Sequence, residues 1–218
     1  MSQKVNANGL RWMIWTIIII IIITIGLAWV FYSLREPYEF FQETISMLGG
    51  LHTENGYNNF PSYAIFTFGF LSVSVLALVT GIVYITNYVD FNYAIFKGVL
   101  MIFIAVGTFG TAIMYDLFRL IHGIGAFVFI TAFGIFNFVC QVLRFVRKHA
   151  EKPTTRKWDY YVDFIMVIIL FITIAAHFMF TGMYEFLDMF SRIYVASSQK
   201  VLLIVIIITV FFLDRDDM

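Results

Sequence analysis

The segment Tyr115–Gly125, YDLFRLIHGIG, joins two long apolar runs of the sequence. It places an aspartate, Asp116, and a histidine, His122, close together at the boundary between those runs. Ionisable side chains are costly inside a bilayer and stable at its surface. We therefore predict that this segment is a turn at a membrane surface and that the chain crosses the bilayer on either side of it.

The composition of the whole chain agrees with a membrane protein. Of its 218 residues, 61% are hydrophobic and 13% are charged, whereas about a quarter of the residues of a soluble protein are charged. A surface this apolar requires a bilayer as its solvent. The formal net charge is zero, which gives no basis for nucleic-acid binding. The single cysteine, Cys140, excludes an intrachain disulfide.

A membrane-spanning helix needs about 20 mainly apolar residues. Six segments meet this requirement, at about 12–34, 62–86, 94–115, 122–143, 161–182 and 195–213. We predict an all-α fold, a bundle of six transmembrane helices that forms one domain over residues 1–218. The first segment is longer than the core of a cleavable signal peptide, so we expect it to be retained. Small residues let membrane helices approach closely, and the third and fourth segments are predicted to do so at Gly107, Gly110, Gly123 and Gly125.

The lysines and arginines predict the orientation of the bundle. With six spans, ten of the 14 fall on one face, and the positive-inside rule makes that face cytoplasmic. Both termini are then cytoplasmic, in a plasma membrane by default. The outer face receives loop 35–61, the turn at 116–121 and loop 183–194. Loop 35–61 is rich in aromatic residues, and we expect it to pack as a lid or a short interfacial helix.

In this topology six ionisable residues that are candidates for a site lie at the outer face: Glu43, His52, Asp116, His122, His177 and Glu185. Histidine and carboxylate side chains are the ligands of zinc and the usual general acids and bases. One interpretation makes Asp116, His122, His177 and Glu43 catalytic. It makes His122, His177, Asp116 and His52 the ligands of a divalent metal such as zinc. In the alternative, these groups serve packing: Asp116 caps a helix or pairs with Arg119, and the two helical histidines form hydrogen bonds between helices.

Three patches of the sequence resemble a known group of membrane proteins: Ile45–Gly49 (ISMLG), then Asn59, Pro61 and Phe66, then Asp116 and His122. They resemble the six-span superfamily that includes DRAM-like, Frag-like and Sfk-like proteins. Relatives in that superfamily are linked to autophagy, lipid-anchor remodelling and membrane-lipid homeostasis. The resemblance implies a fold of six helices and membrane lipids as partners.

The leading functional hypothesis is an outward-facing pocket of His, Asp and Glu that handles a lipid headgroup or acyl chain. The outer ends of the third, fourth and fifth helices would form this pocket. Its enzymatic form would be metal-assisted hydrolysis, because a bound metal lowers the pKa of its water towards about 7. One alternative is a non-enzymatic scaffold that binds a second copy or another membrane protein. Another is a small proton-coupled transporter, although the ionisable residues cluster at one face and not at mid-bilayer.

Overall fold

The computed structural model of the chain describes residues 7–87, 89, 91–151, 157–182 and 190–213. Within these ranges it contains six α-helices that are long and apolar enough to cross a membrane, which confirms the predicted all-α bundle. The helices are α1 (Ala7–Ser33), α2 (Phe60–Thr86), α3 (Ala94–Ala112), α4 (Arg119–Glu151), α5 (Lys157–Gly182) and α6 (Phe190–Val210). A short 3₁₀ helix, Ile45–Gly49, lies in the loop between α1 and α2.

The helix boundaries differ from the predicted spans mainly around the turn between α3 and α4. Helix α3 ends at Ala112 because Ile113 adopts an extended conformation, with φ −68° and ψ 141°. Helix α4 begins at Arg119 and continues to Glu151, past the predicted end at 143. The last part of α4 carries charged residues, and a prediction that selects only apolar residues therefore ends before it. The predicted turn is therefore residues 113–118, and His122 lies in the first turn of α4.

Helix α1 contains a run of seven isoleucines that a helical period divides into two faces. Ile17, Ile18 and Ile21 are buried against the other helices, whereas Ile19, Ile22 and Ile23 are exposed. Burial at spacings of three and four residues follows the helical repeat. The exposed isoleucines are stable only because the surrounding solvent is lipid.

Glycines bring the backbones of neighbouring helices into contact. A Cβ atom on Gly125 of α4 would lie 2.5 Å from the carbonyl carbon of Gly110 in α3, and one on Gly107 would lie 2.4 Å from the backbone nitrogen of Phe129. The predicted close approach of α3 and α4 is therefore confirmed at Gly107, Gly110 and Gly125. Gly123, however, has no neighbour within 4 Å. Helices α2 and α3 also approach closely, a contact that was not predicted: a Cβ atom on Gly81 would lie 2.9 Å from the carbonyl oxygen of Gly98.

The connection between α1 and α2, residues 34–59, packs against the ends of the helices, as predicted. The carboxylate of Glu36 accepts hydrogen bonds from the backbone and side-chain nitrogens of Asn55, at 3.1 and 2.7 Å. The side-chain amide of Asn59 donates to the carbonyl of Gly50 at 2.9 Å. The Ser62 hydroxyl lies 2.7 Å from the carbonyl oxygen of Leu48 and 2.8 Å from that of Ala28. These contacts close the loop on itself and attach it to α2, whose Ser62 also contacts α1.

Successive helices from α1 to α4 pack side by side, and α6 packs against both α4 and α5. We call the end of the bundle that carries loop 34–59 and turn 113–118 the loop end. At the opposite end, Asp163 of α5 is 3% exposed and pairs with the basic residues Arg144, Lys148 and His149 of α4. The functional residues considered below lie at the loop end.

Candidate functional site

The loop end contains a cavity of about 700 Å³. It lies between loop 34–59, the last turn of α1, turn 113–118, the start of α4 and the start of α6. Its lining residues are Tyr32, Glu39, Gln42, Glu43, Thr44, Met47, His52, Thr53, Glu54, Tyr115, Asp116, Arg119, Ile193 and Val195. The predicted lid therefore does cover a pocket. However, the described residues of α5 contribute no part of its lining, whereas α1 and α6 do, which corrects the predicted walls.

Asp116 connects turn 113–118 to loop 34–59. Its Oδ2 atom accepts hydrogen bonds from the backbone nitrogens of Leu51 and His52, at 2.7 and 3.1 Å. The same oxygen lies 3.6 Å from Nδ1 of His52. Two hydrogen bonds from the backbone satisfy a carboxylate and fix its position. Asp116 therefore holds the loop over the cavity, with its carboxylate next to the imidazole of His52. Among the described residues, His52 and Asp116 are the only two candidate residues whose side chains contact each other.

Glu43 is the most buried carboxyl group at the cavity, with 4% of its surface exposed. Its Oε2 accepts from the backbone nitrogen of Glu39 at 3.1 Å, and the hydroxyl of Tyr32 lies 3.5 Å from Oε1. Burial raises the pKa of Glu43, and the negative charges of Glu54 and Glu36 add to this effect. A carboxyl group with a raised pKa keeps its proton at higher pH and is the type of group that acts as a general acid.

A buried lysine of α6, which the sequence reasoning missed as a site residue, supports the backbone at Glu43. Lys200 is 4% exposed, and its Nζ donates a hydrogen bond to the carbonyl of Glu43. The same Nζ lies 4.9 Å from the ring centroid of Phe40 and 5.4 Å from that of Tyr38. The neighbouring Gln199 accepts from the backbone nitrogen of Ile45 at 3.2 Å. Both side chains attach loop 34–59 to α6.

His122 is fully buried and lies beside the cavity without lining it. Its Nδ1 donates to the carbonyl oxygen of Ile113 at 2.7 Å, which satisfies the end of α3. Its ring stacks on Phe66 of α2 at 6.2 Å and packs edge-on against Tyr115 at 5.3 Å. Its Nε2 is buried without a partner in the described part of the protein. These contacts agree with the alternative in which His122 serves helix packing.

His177 lies in a different helix interface. Its Nδ1 is 3.4 Å from the hydroxyl of Ser198 in α6, and its ring packs against Phe127 of α4 at 6.0 Å. Phe127 follows His122 by five residues, which is a rotation of roughly 140° around α4. The two histidines therefore face different neighbours, because topology brings residues to one end of a bundle but the helical repeat decides which way each one points.

The four predicted metal ligands do not converge in the described part of the chain. His52 and Asp116 meet, but no group of three His, Cys, Asp or Glu side chains in these ranges could hold a metal ion. A zinc site needs at least three protein ligands. The ligand set His52, Asp116, His122 and His177 is therefore not assembled in this arrangement. Glu185, the remaining predicted member of the outer cluster, lies outside the described residues.

The three patches that carried the resemblance meet in one layer at the loop end. Ser46 and Gly49 are buried in the 3₁₀ helix, and a Cβ atom on Gly49 would lie 2.7 Å from the ring of Phe66. The same ring stacks on the imidazole of His122 at 6.2 Å. A glycine is therefore required where the 3₁₀ helix rests on α2. The lining of the cavity, within the described residues, does not include Ser46.

Tyr32, Tyr115, Arg119 and Glu39 line the cavity although the sequence reasoning did not select them as site residues. Arg119 was considered only as a partner of Asp116. Its guanidinium instead lies 5.7 Å from the ring centroid of Tyr115. Their position in the sequence could have indicated a role in the site, because all four lie within a few residues of the outer end of a predicted membrane span. Aromatic residues at such positions are also typical of the membrane interface, so their type alone does not indicate a site.

Comparison with protein-family models finds no match. Comparisons with curated proteins and with solved structures find none either.

Proposed function

We propose that this protein binds the polar headgroup of a membrane lipid in the cavity at the loop end. The observation that carries the proposal is the depth and lining of that cavity. Tyr32 is in the last turn of α1, Arg119 is the first residue of α4 and Ile193 opens the span of α6. The ends of apolar spans lie at the level of lipid headgroups, so a lipid headgroup reaches this depth without leaving the membrane.

The chemistry of the lining supports the same proposal. Charged and hydrogen-bonding side chains occupy the loop and the turn, whereas Met47, Ile193 and Val195 form an apolar part of the wall. Ligand sites combine apolar walls with a few polar groups that fix orientation. The lipid setting implied by the family resemblance agrees with this proposal, and the predicted orientation places the cavity on the outer leaflet.

Native mass spectrometry of the protein released from lipid nanodiscs tests the proposal. We expect the wild type to retain bound phospholipid, and Arg119→Gln to retain at least fivefold less, because Arg119 is an exposed cation on the cavity wall. The matched control is Arg35→Gln, which removes an exposed arginine at the same end of the bundle that does not line the cavity. Equal lipid retention by both variants and the wild type would contradict the proposal and favour the scaffold hypothesis.

A hydrolytic step is the second candidate, and one observation favours it. The cavity contains both Glu43, whose pKa burial raises, and His52, whose Nδ1 lies 3.6 Å from the carboxylate of Asp116. In such a step Glu43 would protonate the leaving group, and His52 would take a proton from the attacking water. The measurement is release of the water-soluble headgroup from nanodisc lipid. We expect Glu43→Gln and His52→Gln each to lower its rate at least 100-fold, with Arg35→Gln unchanged. No release by the folded wild type would exclude the step.

A further inference from the structure

The charged residues of the cavity lining indicate which class of lipid headgroup can bind. Besides the buried Glu43, three carboxyl groups line it, those of Glu39, Glu54 and Asp116, against one guanidinium, that of Arg119. The ammonium of Lys200 lies behind Glu43, at its carbonyl. An anionic headgroup would add negative charge to this surplus, and like charges at short range repel. A group that carries a positive charge removes part of the repulsion. The wall therefore discriminates against a purely anionic headgroup.

The four carboxyl groups differ in their positions and contacts. Asp116 is occupied by the backbone amides of Leu51 and His52. Glu39, Glu43 and Glu54 lie on the loop side of the cavity, and Tyr32 is next to Glu43. Glu43 is 4% exposed, and a buried carboxylate is stabilised by a nearby cation. An ammonium group on this side would meet carboxylates, which attract a cation.

The start of α4 offers one position for an anion. Arg119 is the first residue of the long helix α4, so its guanidinium lies beside the helix N-terminus. Arginine binds phosphate with a pair of hydrogen bonds, and the positive end of a helix dipole adds to that attraction. The ring of Tyr115 lies under the guanidinium at 5.7 Å and limits where it can move. Positive and negative recognition groups are thus on different elements that line one cavity, α4 and loop 34–59.

We infer that the headgroup bound here is zwitterionic, a phosphate joined to an ammonium group. The phosphate contacts Arg119, and the ammonium lies among Glu39, Glu43 and Glu54. This inference rests on the proposed function, because it assigns a chemical class to the lipid of the same cavity. Met47, Ile193 and Val195 then face the apolar part of the lipid that follows the phosphate.

The test uses nanodiscs that contain equal amounts of phosphatidylethanolamine and phosphatidylglycerol, and native mass spectrometry identifies the bound lipid. We expect at least fivefold enrichment of phosphatidylethanolamine on the wild type. The double variant Glu39→Gln/Glu54→Gln should lose this enrichment, whereas Glu39→Asp/Glu54→Asp, which keeps both charges, should retain it. Loss in both double variants would mean that packing and not charge sets the preference, and would overturn the inference.

The remaining outcomes separate this inference from the function on which it rests. Bound lipid that depends on Arg119 but shows no preference, or favours phosphatidylglycerol, overturns the zwitterionic headgroup and leaves lipid binding standing. No lipid that depends on Arg119 overturns both. A parallel titration with soluble phosphoethanolamine distinguishes the source of the ligand. Displacement of bound lipid supports recognition through the headgroup, whereas binding of phosphoethanolamine without any lipid binding overturns the lipid assignment.

Discussion

Replacing Asp116 by alanine should release loop 34–59 from turn 113–118 without unfolding the bundle. The substitution removes the acceptor of two backbone hydrogen bonds, from Leu51 and His52. Hydrogen bonds to a charged group contribute about 1.5–3 kcal/mol each. The side chain is 29% exposed, so solvent screens the carboxylate and we take about 2 kcal/mol for the pair together. A free-energy difference of this size changes the local opening equilibrium roughly 30-fold.

Hydrogen–deuterium exchange of the protein in detergent measures this opening directly. The amides of Leu51 and His52 should exchange roughly 30-fold faster in Asp116→Ala. In Asp116→Asn, which keeps a neutral acceptor oxygen, the increase should be smaller, about fivefold. The internal reference is the amide of Met47, which donates to the carbonyl of Thr44 at 3.1 Å within the loop and does not contact Asp116. Exchange at Leu51 and His52 within twofold of the wild type would refute the role of Asp116 as the attachment point of the loop.

Three further substitutions test other parts of the structure. Burial raises the pKa of Glu43 above its ordinary value of 4.5, so its contribution to stability is complete below pH 4.5 and is lost as the pH rises through the folded pKa. Thermal unfolding in detergent should therefore show the wild type losing stability above pH 4.5 relative to Glu43→Gln, and parallel curves for the two proteins would contradict this. Gly125→Ala should cost about 1–3 kcal/mol, because its Cβ atom would meet the α3 backbone at 2.5 Å. Gly123→Ala, with nothing within 4 Å, is its control, and equal melting temperatures would argue against the close contact. At the opposite end, Asp163→Asn should lower stability by about 3 kcal/mol, since it leaves Lys148 and its basic neighbours without a buried carboxylate; a reversible chemical unfolding curve that does not shift would contradict the importance of this ion pair.

The six helices were predictable because the bilayer imposes a simple rule on the sequence. A segment that crosses lipid must be apolar over about 20 residues and must satisfy its own backbone. Even the isoleucine run of α1 is helical, although β-branched residues favour strands in water. The end of α3 was less predictable, since the extended conformation of Ile113 depends on the hydrogen bond from His122, which is a tertiary contact.

The candidate site was predictable only in part, for a geometrical reason. Topology alone indicates that Glu43, His52, Asp116, His122 and His177 lie at one end of the bundle. Whether two of them meet depends on their rotation around each helix and on the path of loop 34–59. Glu43, His52 and Asp116 share the cavity, whereas His122 and His177 turn into separate helix interfaces. The hydrogen bond from Lys200 of α6 to the loop likewise depends on how the helices pack, and no local sequence pattern predicts it.

The attachment of loop 34–59 to α6 has a mechanical consequence. Lys200 and Gln199 reach from α6 to Glu43 and Ile45, while other contacts hold the same loop to α1, α2 and turn 113–118. Transmembrane helices tilt to match their apolar length to the thickness of the bilayer. A tilt of α6 relative to α2 therefore stretches or compresses the loop at its two points of attachment. We therefore expect the width of the cavity, and with it the spacing of its charges, to change with the thickness of the surrounding membrane.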